Sequence, residues 1–99
     1  MRKVTQTIKE AWLNGEAKAV SNTHTDGNSV WLHGNQIIKV TENGEVWATL
    51  AGWDTPTTKE RVNGITNAGF HTVNFETHIN GVPVDDDEWI FIDYKTEVA

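Results

Sequence analysis

With 99 residues, 14 acidic against 8 basic side chains and a formal net charge of -6, the chain has the size of one domain with a single unstapled core. The absence of cysteine excludes disulfides, thiolate metal sites and a cysteine nucleophile together. The acidic balance argues against direct nucleic-acid binding, because phosphate contacts need clustered cations.

An α+β fold is predicted over a single domain, 1–99. It comprises an N-terminal helix over 4–15, packed on an antiparallel meander of about four strands over 19–50, then a short second helix over 55–67 and a further two-strand hairpin over 70–94. In the first segment Val4, Ile8, Ala11 and Trp12 recur at helical spacing and form one apolar stripe, and Gly15 is placed to end the helix. A helix laid on its own sheet explains that stripe more simply than a partner-docking surface. Met1-Arg2-Lys3 is followed by no apolar stretch of the signal-peptide kind. No apolar run approaches the roughly 20 residues of a membrane-spanning helix.

The pattern then changes to short strands over 19–25, 30–33, 36–41 and 45–50, separated by Asp26-Gly27-Asn28, Gly34-Asn35 and Asn43-Gly44. Period two puts Val30 and Leu32 opposite Trp31 and His33, and Val46, Ala48 and Leu50 opposite Trp47 and Thr49. Both faces carry apolar or aromatic residues, so one takes the helix and the other needs later strands or a second copy of the chain; homo-oligomerisation stays open. Most of the five tryptophans, at 12, 31, 47, 53 and 89, are expected in the core.

The stretch 52–64 interrupts the hairpin-like sequence with turn and capping residues. Pro56 suits a first helical turn capped by Thr55; alternatively Thr57 caps and Glu60 completes a capping box. Asn67-Ala68-Gly69 ends the element. Over 70–79 the residues alternate as one strand, Asn80-Gly81 signals a hairpin, Asp85-Asp86-Asp87-Glu88 reads as a solvated bend, and 89–94 reads as a fully buried strand.

Few constellations carry chemistry. His71 and His78 are seven positions apart, which sends them to opposite faces of a regular strand. His24 and His33 flank a hairpin but lack a carboxylate or third ligand. The acidic run at 85–88 lacks the oxygen spacing of a calcium loop. No nucleophile elbow or phosphate-binding glycine motif is present, and no metal, cofactor or enzymatic activity is expected. The best site candidate is the stretch around the second helix: its free N–H groups attract anions, Thr57 and Thr58 add hydroxyls, Lys59 and Arg61 add charge, and Trp53 offers a stacking surface. These residues would hold a phosphate, a nucleotide or an acidic protein loop. A structural joint explains more of these residues with fewer assumptions: Thr57 and Glu60 cap each other, Trp53 fills the core and Arg61 pairs with an acid such as Asp54.

Three segments carry a resemblance: Ser21-Asn22-Thr23-His24-Thr25-Asp26-Gly27, Leu32-His33-Gly34-Asn35-Gln36-Ile37 and, above all, Leu50-Ala51-Gly52-Trp53 through Asn63-Gly64. In them the chain resembles a family of small bacteriophage proteins with a Gly-Trp-x-Thr-x-Thr-Thr-x-Glu-Arg motif. The resemblance covers roughly residues 19–65, with a looser echo in His78-Ile79-Asn80-Gly81; Asp54 and Lys59 look like individual variations on the motif, and the tail from 82 onward is not clearly covered. It implies a phage origin and a compact domain, and it brings no catalytic residues. The expected function is a non-enzymatic accessory protein in the host cell cytoplasm, binding and inhibiting a host or bacterial defence protein. A binder or sponge of a small nucleotide-like ligand, and a virion structural or assembly protein, are the alternatives.

Overall fold

The N-terminal stripe winds into helix α1, Lys3–Leu13, in the computed structural model, which describes residues 1–98. Ile8 and Trp12 are fully buried. The Glu16 N–H bonds the Ala11 carbonyl at 2.8 Å and the Gly15 N–H bonds that of Trp12 at 3.2 Å, the paired bonds of a Schellman end with Gly15 in the left-handed region. The Trp12 indole N–H donates to the Asn28 carbonyl at 2.8 Å and ties the helix end to a strand loop. Gly27 in that loop cannot be larger, since a Cβ there would stand 2.4 Å from the Gly15 carbonyl carbon.

Five short strands follow: β1 (Lys18–Val20), β2 (Thr23–Thr25), β3 (Val30–Leu32), β4 (Asn35–Val40) and β5 (Glu45–Ala48). Each pairs antiparallel with the next, so the expected meander forms with one division more than anticipated. The segment 19–25 is a hairpin rather than one strand, because Ser21 takes φ of 56° and Val20 turns back to pair with Thr23. Helix α2, Pro56–Thr66, then packs beside α1 on the same face of the sheet. Between helices and sheet lie Val30, Leu32, Ile38, Val46, Ala48, Val62 and Ile65, all buried.

The C-terminal third departs further from expectation within the same α+β class. Strands β6 (Phe70–Val73), β7 (Glu76–Ile79) and β8 (Val82–Pro83) make a separate three-stranded sheet. Residues 70–79 do not run on as one strand: Asn74 and Phe75 take φ of 49° and 67°, and Val73 pairs with Glu76. Nor does the last strand return to this sheet. Strand β9, Ile90–Tyr94, pairs with β5 and completes a six-stranded sheet of order β1-β2-β3-β4-β5-β9. It is an edge strand, with Phe91 41% and Tyr94 49% exposed, not the fully buried strand its composition suggests.

The sheet face away from the helices carries most of the aromatic residues. Trp31 stacks on His24 with ring centroids 4.8 Å apart, Trp47 meets Phe91 edge-on at 5.7 Å, and the Lys39 ammonium lies 4.2 Å from the Trp89 ring centre. Trp31, Trp47 and Trp89 are half-buried and Trp53 is exposed, so Trp12 alone of the five fills the core as expected of most of them. Among the described residues no helix is long and apolar enough to cross a membrane.

Candidate functional site

The loop between β5 and α2 is held from several sides. Ala51 and Gly52 take φ of 56° and 82°; the Trp53 N–H bonds the Leu50 carbonyl at 2.9 Å and the Gly52 N–H bonds that of Asp86 at 2.9 Å. Thr55 then caps α2, its hydroxyl oxygen accepting from the Thr58 N–H at 3.2 Å, with Pro56 at the first helical position. The alternative capping box does not form. Glu60 reaches instead to Thr5 of α1, whose hydroxyl donates to it at 2.5 Å.

This cap also changes what the helix start can hold. Pro56 has no N–H, the Thr58 N–H is taken by the Thr55 side chain, and the Lys59 N–H bonds the Thr55 carbonyl at 3.1 Å. Pro56, Thr58 and Lys59 therefore offer an anion no free N–H, and the anion site expected from free helix-start donors is largely closed.

The five candidate residues separate into two groups. Trp53, Thr57 and Thr58 line one open pocket of about 400 Å³ together with Leu32, His33, Asn35, Ile37, Leu50, Ala51 and Thr55. Its floor is apolar: Leu32, Ile37 and Leu50 are buried core residues whose edges meet the pocket. Trp53, 58% exposed, stands at its margin. Leu32, Ile37 and Leu50 were missed because strand pairing, not chain proximity, brings them there; the apolar faces of the 30–33 and 45–50 strands were the available signal.

Lys59 and Arg61 do not line that pocket. Lys59 pairs with Asp54 at 2.7 Å and also donates to the Thr72 hydroxyl. Asp54 in turn accepts from Thr77 at 2.5 Å and Thr72 at 2.9 Å, which fastens the pocket loop to the small sheet. Burial pushes the Asp54 carboxyl up, but the hydrogen bonds from Lys59, Thr77 and Thr72 outweigh it and hold the group below its ordinary value. Arg61 is 3% exposed. Its guanidinium bonds Thr23 at 3.0 Å and Thr5 at 3.2 Å and pairs with Glu60, so it clamps β2, α1 and α2 together. Burial likewise pushes the Glu60 carboxyl up, and the bonds from Thr5, Arg61 and the Arg2 N–H outweigh that and lower it. The structural pairing anticipated for Arg61 therefore exists, with Glu60 as its acid; Asp54 belongs to Lys59.

One histidine expectation is overturned. Because the chain turns at Asn74-Phe75, His71 and His78 are direct cross-strand partners on one face, with ring centroids 5.7 Å apart. Among the described residues no three His, Cys, Asp or Glu side chains come together as a metal-binding group. The acidic residues Asp85, Asp86 and Glu88 border a second, polar depression with Phe75 and Glu76.

The family model described as Kyanoviridae Gp96 protein matches residues 1–98 of the chain. No curated protein and no solved structure matches it.

Proposed function

The chain belongs to the Kyanoviridae Gp96 family of bacteriophage proteins, and from that premise we propose that it is a non-enzymatic accessory protein that binds a host or bacterial defence protein in the host cytoplasm and inhibits it. The carrying observation is the apolar pocket of about 400 Å³ beside the exposed Trp53. A pocket of this kind accepts an apolar side chain of a partner, and an exposed tryptophan beside it supplies the large, rigid contact that dominates protein interfaces. Capture from bacterial lysate tests the reading: the wild-type chain retains a stoichiometric partner and Trp53→Ala does not. Equal retention by the two chains, or no retained partner, contradicts it.

Lys59 and Arg61 weigh against a nucleotide-like ligand, since both are engaged within the fold. For self-association in a virion there is one favourable observation, the aromatic outer sheet face with Trp31, Trp47, Phe91 and Tyr94. Light scattering distinguishes it: a strict monomer at high concentration opposes assembly through that face.

A further inference from the structure

We propose that His71 and His78 form an open, two-ligand site for a borderline divalent transition metal of the zinc and nickel type. The pair lies on the β6–β7 hairpin and has no part in the pocket. His71 and His78 are register partners, with ring centroids 5.7 Å apart and planes inclined at 34°. A ring bound to zinc through nitrogen at about 2.1 Å has its centroid about 3.2 Å from the metal, so two rings at a tetrahedral angle stand about 5.2 Å apart. The observed separation is within about 0.5 Å of that value, and both side chains are partly exposed.

The hydrogen bonds prepare both rings in the same way. His71 Nδ1 lies 2.9 Å from the Gly69 carbonyl, and His78 Nδ1 lies 3.0 Å from the Glu76 carbonyl. A carbonyl only accepts, so in each neutral ring Nδ1 carries the proton and Nε2 keeps its lone pair. Donation of the other ring N–H to a carbonyl is the outer-shell contact that orients metal-binding histidines. Two adjacent imidazoles are thus held in the metal-ready tautomer by identical local contacts, each to the residue two positions earlier. With no third His, Cys, Asp or Glu grouped with them among the described residues, the remaining coordination positions go to water or to a group from a bound molecule. Two protein ligands are fewer than the three of a catalytic zinc site, so binding here is weak and exchangeable and not that of a closed structural site. Imidazole with water suits zinc, nickel and copper and disfavours calcium and magnesium.

Titration of the whole chain with zinc chloride, followed by NMR of the imidazole nitrogens and reversed with a chelator, tests the assignment. The Nε2 signals of His71 and His78 are expected to move together and saturate at one metal per chain. His24, stacked on Trp31, and His33, beside the Asn22 amide, should stay in place. His78→Gln removes one of the two ligands and should lower zinc affinity by more than the about tenfold that loss of an outer-shell partner costs, while His24→Gln leaves it unchanged. Movement of all four histidines alike, or unchanged affinity in His78→Gln, overturns the assignment. Should His78→Gln disrupt the hairpin, the wild-type titration is sufficient by itself, since it reads each of the four rings separately.

Discussion

Arg61 and Trp53 belong to one motif and face opposite tasks. Arg61 is 3% exposed, with hydrogen bonds to two other elements, whereas Trp53 is 58% exposed beside a pocket. The difference lies in the available partners. Glu60, Thr5 and Thr23 converge on the buried face of α2 and satisfy a guanidinium there, and Asp54 does the same for Lys59 at the helix start. The single N–H of the Trp53 indole needs no partner within the fold because the side chain is exposed to water, and the rim of an apolar pocket accommodates the ring. A conspicuous cluster of cations and an aromatic side chain in sequence therefore need not be one binding site. The cations hold the frame, and the aromatic side chain stays exposed at the margin of the pocket.

Substitutions along the motif should grade accordingly. Arg61→Ala leaves the partly buried Glu60 without its cation and should cost about 3–5 kcal/mol in a urea denaturation curve. Arg61→Lys restores only part of this, because an ammonium cannot bridge Thr5, Thr23 and Glu60 as a guanidinium fork does. A change equal to that of a surface residue would place Arg61 outside the frame.

Acid should dissolve the same frame. Glu60 and Asp54 are held below their ordinary values of 4.5 and 3.8 in the folded chain. The stability each adds is therefore complete above those values and is lost as the pH falls from them through the lower folded-state values. Asp26 acts in the same sense, lowered first by the Ser29 N–H and then by that of Asn28. Urea midpoints measured from about pH 7 down to about pH 3 should fall through that window, and Glu60→Gln should flatten part of the fall. An unchanged slope in Glu60→Gln would remove Glu60 from the explanation.

Smaller effects are expected towards the rim. Lys59→Ala breaks a pair whose side chains keep 19% and 15% exposure, but Asp54 retains the Thr72 and Thr77 hydroxyls, so the loss should be smaller than for Arg61, about 1–2 kcal/mol. Trp53→Ala should change stability by within about 0.5 kcal/mol, as removal of an exposed side chain does, while abolishing partner capture. A large loss of stability in Trp53→Ala would erase the contrast with Arg61.

Local signals made part of this arrangement legible. The Val4-Ile8-Ala11-Trp12 stripe with Gly15 after it specifies α1, Asn43-Gly44 and Asn80-Gly81 mark turns, and Thr55-Pro56 marks the start of α2. The turns at Ser21-Asn22 and Asn74-Phe75 were hidden because left-handed positions that glycine normally fills carry Ser and Phe instead. Phe75 is fully exposed, so tertiary packing of its ring does not explain that choice. The hidden turn at 74–75 moved His78 from the far face to a position beside His71. At the pocket, Trp53, Thr57 and Thr58 were legible as a local cluster. Leu32, Ile37 and Leu50 were not, because their apolar alternation says which face they occupy and not that the pocket opens onto them. The rotation of α2 that turns Arg61 inward depends on Thr5 and Thr23, distant in sequence.

Amide hydrogen exchange of the chain, with and without its captured partner, tests recognition at the pocket most directly. Slowed exchange confined to Leu50 through Thr58 and the facing residues Leu32 to Ile37 is the predicted result. Protection centred on Trp47, Phe91 and Tyr94 of the outer sheet face, with the Trp53 loop unchanged, would contradict it.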